Sequence, residues 1–289
     1  MKVIPECAPC FLRFAGNTLR LSTDDEELKI EIFNEIFNLL ANNFDTNTNP
    51  NSTGSTIYKI IKQKTGCNDP YKEEKILSNQ IALKYLPKAK KIIENEDTLE
   101  NYVKIAIVGN ILDFGAFPSA KDIDNIIKEG FQKQLKINHV EKLDKDAKKH
   151  DKLLYLVDNT GEIVFDKLLL EKLQTYDLDI TIAVKSAPIL NDACMEDALK
   201  VGLDKYGEIV ETGEDTVGYV DSEISDEFRE IYNNHKFIIS KGMGNYEGLT
   251  EIDTSDKDLY FLLCSKCNTI SKDIGVDLQD MVLIKNKKI

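Results

Sequence analysis

No apolar run in the 289-residue chain approaches the ~20 residues that span a bilayer, so no transmembrane helix is expected. The amino terminus, MKVIPECAPCFLRF, lacks the long apolar segment and small-residue cleavage site of a secretion signal, and the expected address is cytoplasmic. Basic charge is also short. Against 50 Asp and Glu there are 37 Lys and Arg, a net charge of −13 that excludes a general nucleic-acid binder, because phosphate contacts need clustered cations. Neither G-x-x-x-x-G-K-[ST] nor a G-x-G-x-x-G after the first strand is present, so a nucleotide-binding loop has no support. There is no internal repeat.

What is there reads as a soluble globular chain, 42% hydrophobic and 30% charged, long enough for one large domain or two modest ones. In a cytosolic chain cysteines are thiols or metal ligands rather than disulfides. Cys7 and Cys10 form one C-x-x-C, Cys264 and Cys267 another, while Cys67 and Cys194 stand alone. The two pairs would close a tetrahedral zinc site if the termini met, although no His accompanies them; simply reduced thiols are the alternative.

From Asp24 to about Leu143 apolar residues recur every three or four positions, as in EELKIEIFNEIFNLLANNF and KEEKILSNQIALKYLPKAKKIIENE, which is helix spacing. DTNTNPNSTGST reads as a polar loop, GCNDPYKEEK as a stop, a turn and a new start, and TLENYVKIAIVGNILDFGAFP as a buried helix carrying Asn110 and Asp113. The charged run HVEKLDKDAKKHDK marks a solvated boundary, dividing a helical subdomain, 1–147, from a second subdomain, 148–289, the two forming one functional unit. In the second part short β-rich runs (LLYLVD, DITIAVK, GEIVET, KFIISKG, YFLLCS) alternate with helices (EIVFDKLLLEKLQTY, DACMEDALKVGL, SDEFREIYNNH), which implies a parallel, helix-covered α/β sheet.

In open α/β sheets the ligand crevice lies beyond the carboxyl ends of the strands. Polar residues gather at four such ends. After the first strand come Asp158 and Asn159, then Thr160, Gly161 for a tight turn, and Glu162 at a helix start; helix-start chemistry alone would also account for these residues. The second strand ends in Lys185, Asn191 and Asp192. Together Asp158, Asn159 and Asp192 would offer only oxygen donors, a set that prefers a hard cation such as Mg²⁺ or Mn²⁺. A third strand ends in FIISKGMGNYEGL, where Lys241, Gly242, Gly244, Asn245 and Glu247 could cradle an anion through bare backbone amides, or form no more than a glycine turn. Lys266 follows the last strand. A metal ion, two lysines and glycine amides would make a small positive pocket in an acidic protein, which is the chemistry of phosphate.

DNTGE, KSAPILNDA, KGMGNYE and LLCSKC, with GNILDFG and GCNDPYKEEK upstream, resemble the domain-of-unknown-function 89 family of metal-dependent damage-control phosphatases, in order along nearly the whole chain. The amino-terminal C-x-x-C is like that of its archaeal-type branch. The resemblance implies a three-layer α/β/α, Rossmann-like fold with a helical N-terminal portion. It also implies a divalent ion (Mn²⁺ or Mg²⁺, with Ni²⁺ or Co²⁺ as further options) on Asp158, Asn159 and Asp192, and hydrolysis of small phosphorylated metabolites, sugar phosphates leading. Other branches carry Arg-Thr-x-Lys where this chain has SKGMGN, so their substrates do not transfer.

On this reading Asp158, Asn159, Glu162, Asp192 and Lys241 form the catalytic group, and Lys185, the Gly242 to Asn245 amides, Glu247 and Lys266 contact substrate, with Asn110 and Asp113 closing the pocket. Haloacid-dehalogenase-type phosphatases place Asp-x-Asp after the first strand; Thr160 stands at the second position here, which argues for attack by water rather than by Asp158. Two other classes remain: a non-catalytic sensor of phosphorylated metabolites, and a zinc or redox module built on the cysteines.

Overall fold

The computed structural model describes residues 1–111, 120–213 and 215–286. Asp113 and Glu214 lie outside the described residues. Six helices come first: α1 (Cys7–Ser22), α2 (Glu26–Asn43), α3 (Pro50–Thr65), α4 (Lys72–Asn95), α5 (Leu99–Ile111) and α6 (Ala120–Gln132). The short strand β1 (Ile137–Asn138) and helix α7 (Val140–Ala147) lead into β2 (Lys152–Leu156), α8 (Glu162–Gln174), β3 (Asp179–Val184), α9 (Met195–Val201) and β4 (Glu208–Glu211). Then follow α10 (Asp226–Asn234), β5 (Phe237–Lys241), α11 (Met243–Leu249), β6 (Asp258–Cys264), α12 (Asn268–Ile274) and β7 (Met281–Lys285).

Two stretches differ from their sequence reading. Half of the Asn-rich segment is helical rather than loop: Asn49 caps α3 by accepting the Ser52 N–H at 3.1 Å, and Pro50 occupies its first turn, where a missing N–H costs nothing. The polar face of that helix is used, since Ser55 Oγ accepts the Val217 N–H at 2.9 Å. The run assigned to a solvated boundary contains α7, whose Leu143, Asp146 and Ala147 are buried.

The seven strands form one sheet in the order β1-β7-β6-β5-β2-β3-β4. Neighbours from β6 to β4 are parallel, as the alternation of strands and helices requires. β7 is antiparallel to β6, and β1 runs parallel to β7. The reason is length. α12 has seven residues and rises about 10 Å, too little to return the chain along β6, whose seven residues span about 23 Å. The chain therefore re-enters at the end it left, with Ser265 N–H donating to Asp280 O at 2.9 Å, and β7 runs back.

Strand alternation builds two layers of core from one strand. Leu153 and Tyr155 of β2 pack with α4, α5 and α8, while Leu154 and Leu156 face the opposite layer of α10 and α11. A third, smaller core holds α1, α2 and α3 together through Phe11, Leu19, Ile32, Ile36, Ile57 and Ile61. The fold is thus a three-layer α/β/α sheet with a helical N-terminal portion. Among the described residues no helix is long and apolar enough to cross a membrane.

Candidate active site

The chain leaves β2 toward β3 on one side and enters β5 and β6 on the other, so the topological switch lies between β2 and β5. The turns after these two strands meet. Gly242, just after β5, has φ +78°, and a Cβ there would fall 1.9 Å from Asp158 Oδ2. Only glycine lets the two turns approach this closely.

Asp158 and Asn159 are half-buried in the turn after β2. Asp192 is brought to them by backbone pairing: Asn159 bridges to Asp192, Ala193 N–H donates to Asp158 O at 2.9 Å, and Thr160 N–H donates to Asn191 O at 2.9 Å. Glu162, the first residue of α8, is wholly buried. Asn110, on the last turn of α5, donates to Asp158 Oδ2 at 2.8 Å and to Glu162 Oε2 at 2.7 Å. Asn159 Nδ2 also donates to Asp158 Oδ2, at 2.7 Å. Burial pushes the Asp158 carboxyl well above its ordinary range, and the Glu162 and Asp192 carboxylates add to this, while Lys266 and Lys241 oppose it.

Lys266 reaches this cluster from the end of β6, with its ammonium donating to Asn110 O. Lys241 does not face the rim. It is fully buried, and Nζ donates to Glu162 Oε1 at 2.6 Å, Asp166 Oδ1 at 2.6 Å and Ala106 O at 3.0 Å, which uses all three of its hydrogens. A direct phosphate contact, expected from its place after the strand, is therefore replaced by an ion-paired role beneath Glu162. Burial works against the charged lysine, but Asp166 and Glu162 hold its pKa above the ordinary value. Asp166 also accepts from Tyr155 OH at 2.8 Å, and burial, outweighing the lysine, pushes its carboxyl above the ordinary range.

Other expected substrate contacts are turned inward. Lys185 is buried and donates to Gly218 O. Asn245 Nδ2 staples the ends of β2 and β5, donating to Val157 O at 3.1 Å and Lys241 O at 2.9 Å. Gly244 O accepts from Asn51 Nδ2 at 2.8 Å. Glu247 lies further along α11, where its backbone oxygen accepts from the Met1 amino group and burial raises its carboxyl to about 7.

Sequence reasoning passed over Asn79, Tyr155 and Asp166. Asp166 had a readable signal, a carboxylate four residues after Glu162 and directly after the apolar Ile163–Phe165 run, hence on the same face as Glu162. Asn79 accepts the Gly161 N–H at 2.7 Å and had none.

The cysteines are only partly brought together: burial and then the neighbouring Cys267 and Cys10 push the Cys7 thiol up, while Cys264 stands apart. Cys264 packs in the layer with Tyr260 and Leu262 and faces Gln279 Oε1 at 3.8 Å, whereas Cys267 packs in the layer across the sheet. Among the described residues, the one group of three His, Cys, Asp or Glu side chains close enough to share an ion is Asp146, His150 and Asp258, whose ligand atoms lie within 4.8 Å of one another. That spacing fits a divalent cation. It lies at the opposite end of the sheet, however, and the Lys285 ammonium already ion-pairs with both carboxylates.

Fold and site together define an α/β protein with a cluster of carboxylate and amide side chains at the switch point of its sheet. Within the class, the chain belongs to the damage-control phosphatase ARMT1-like domain family, whose model matches residues 3–282. It is 34% identical over 287 residues to a damage-control phosphatase of Archaeoglobus fulgidus, with 98% of each chain covered. It is 38% identical over 291 residues to an uncharacterized protein of Methanocaldococcus jannaschii, covering 99% of this chain and 96% of that one. The solved structure of a DUF89-family protein from Pyrococcus horikoshii is 33% identical, with a TM-score of 0.90 over 99% of this chain and 100% of that chain.

Proposed function

We propose that this chain is a metal-dependent phosphomonoesterase that hydrolyses small phosphorylated metabolites, sugar phosphates foremost. The observation that carries the reading is the carboxylate cluster at the switch point. Asp158 is pushed well up by burial and by two neighbouring carboxylates, a charge arrangement that a hard divalent cation relieves. Relatives named damage-control phosphatases, matching over almost the whole chain, support the same reaction class.

Asp158, Asn159 and Asp192 would hold the ion, which supplies neutralisation of phosphoryl charge and a lower barrier to attack by water. The remaining steps fall to this chain's own residues. Lys266, exposed at the rim beside Asn110, takes the phosphoryl oxygens. Glu162 is fixed at both oxygens, by Lys241 on Oε1 and Asn110 on Oε2, and so keeps Asn110 and the Asp158 turn in one geometry. Asp158 Oδ2 already accepts two amide donors and lies against Gly242, an arrangement that favours water over this carboxylate as nucleophile. Water adds to phosphorus, the ester oxygen departs with a proton, and inorganic phosphate and the free alcohol remain.

The test is phosphate release from a panel of phosphorylated sugars and other small metabolites, run metal-free and with Mn²⁺, Mg²⁺, Co²⁺ and Ni²⁺. Turnover is expected only with metal, and Asp192→Ala is expected to lose it. Full activity in the metal-free protein, or in Asp192→Ala, would overturn the assignment. Binding of a sugar phosphate without release under every ion would favour a sensor instead.

A further inference from the structure

Two turns must keep their register for the crevice to exist, one bearing Asp158 and Asn159 and the other bearing Asp192. Both are tied to a single helix outside the sheet. Asn79 and Lys75 are one helical turn apart on α4, hence on one face, and both are buried. Asn79 Oδ1 accepts the Gly161 N–H at 2.7 Å, at the residue between Asn159–Thr160 and the start of α8. Gly161 sits at φ +77°, so its N–H points away from the helix that follows and has to be met from elsewhere.

Lys75 grips the second turn. Its Nζ lies 2.8 Å from Asp197 Oδ2, 3.5 Å from Asp69 Oδ2 and 3.8 Å from Cys194 Sγ. The same Asp197 Oδ2 accepts the Cys194 N–H at 3.1 Å. Lysine, carboxylate and backbone thus form one chain of contacts that ends two residues from Asp192. Asp69 and Lys75 both belong to the GCNDPYKEEK segment. A helix placed only to cover the sheet would present apolar side chains here; a buried ammonium and a buried amide aimed at two particular turns indicate a more specific task.

We infer that Lys75 and Asn79 are positioning residues: from one face of α4 they set the spacing between the Asp158–Asn159 turn and the Asp192 turn, and through that spacing the affinity for the divalent ion. The inference rests on the proposed ligand set. Neither residue touches the substrate or the ion. Losing either contact lets one turn relax relative to the other, which weakens metal binding more than it slows a fully loaded enzyme.

The experiment titrates Mn²⁺ into the protein and follows the electron paramagnetic resonance signal of the free ion. The variants are Asn79→Leu, Lys75→Met, and the conservative Asn79→Asp, which keeps an acceptor. Dissociation constants are referred to the fraction folded by circular dichroism. Asn79→Leu and Lys75→Met are each expected to weaken Mn²⁺ tenfold or more, with phosphate release recovered largely at saturating Mn²⁺; Asn79→Asp is expected to stay within about threefold of the parent. A merely structural role would lower the folded fraction and leave the constant of the folded molecules unchanged, which would overturn the inference. Should Lys75→Met fail to fold, Asp197→Asn disturbs the same contact more gently and is held to the same tenfold criterion. The parent distinguishes the two levels. No Mn²⁺ binding by the parent removes the proposed function and this inference with it, whereas normal binding by the parent and by all the variants removes this inference alone.

Discussion

The side-chain amide of Asn110 donates to two carboxylates at once, 2.8 Å from Asp158 Oδ2 and 2.7 Å from Glu162 Oε2, and so spans the gap between α5 and the turn after β2. Removing it in Asn110→Ala takes a donor from the buried Glu162 Oε2 and from the half-buried Asp158 Oδ2, a loss of about 1–3 kcal/mol for a group of this kind. We expect kcat/KM for phosphate release to fall roughly 10- to 100-fold, each factor of ten being about 1.4 kcal/mol. Asn110→Asp should be worse than alanine, because it adds a carboxylate where Asp158, Glu162 and Asp192 already repel one another. An Asn110→Asp variant as active as the parent would show that the amide is not needed.

Lys241 tests the buried charge beneath the site. With Nζ on Glu162 and Asp166 and none of the three side chains exposed, Lys241→Met strands two carboxylates in the core. Breaking one side of a buried ion pair costs about 3–5 kcal/mol, and urea denaturation should report a loss of that size. Lys241→Met with Asp166→Leu removes one stranded charge and should regain part of it. Equal stabilities for the single and double variants would mean that the pair is not coupled.

The orientation of Lys241 illustrates what was legible in the sequence. Five strands could be read as short β-rich runs alternating with helices, and the polar turns Asp158–Glu162 and Lys185–Asp192 do lie at strand ends. Alternation along a strand also carries a fact that the motif reading passed over. Phe237 and Ile239 face the layer of α5 and α8, so Lys241, two residues further along β5, points there too and away from the rim. Cys264 ends β6 facing the same layer, whereas Cys267 lies beyond the strand and packs against the opposite one, a separation that the C-x-x-C spacing does not show. The antiparallel β7 was not legible, because its direction follows from the shortness of α12 and not from its own residues. Asn79 could not be found either: an asparagine on a helix carries no sign of which distant N–H it will meet.

At the far end of the sheet, Asp258 gives a prediction in pH. Burial alone would raise its carboxyl, but hydrogen bonds from Lys285, Lys149 and His150 more than offset this and hold it far below the ordinary range. A carboxylate with a depressed folded-state pKa contributes stability that is fully present above its unfolded value near 4 and is lost as the pH falls below that. The parent should therefore lose stability in acid below about pH 4, and Asp258→Asn should already be weaker at neutral pH with a flatter acid limb. Thermal melts from pH 7 to pH 2.5 give both curves. Parallel curves would exclude Asp258 as a source of the slope.

Gly242 offers the sharpest separation of site geometry from general stability. Alanine there has to tolerate φ +78° and also place its Cβ 1.9 Å from Asp158 Oδ2 and 2.3 Å from Asp158 Cγ. Gly275 is the matched control: φ is +83°, yet a Cβ would meet nothing within 4 Å. Both substitutions carry the left-handed backbone penalty of about 1–2 kcal/mol, so both variants should melt earlier by similar amounts. Only in Gly242→Ala must the Asp158 carboxylate move, because the backbone on the other side directly follows β5 and is held by Gly242 N–H donating to Leu262 O at 3.1 Å. On the proposed function, Gly275→Ala should match the parent in phosphate release and Mn²⁺ affinity once stability is allowed for, and Gly242→Ala should lose both. If both variants bound Mn²⁺ alike, the Asp158 carboxylate would not be a ligand, since no displacement of a ligand by an atom at 1.9 Å leaves the affinity unchanged.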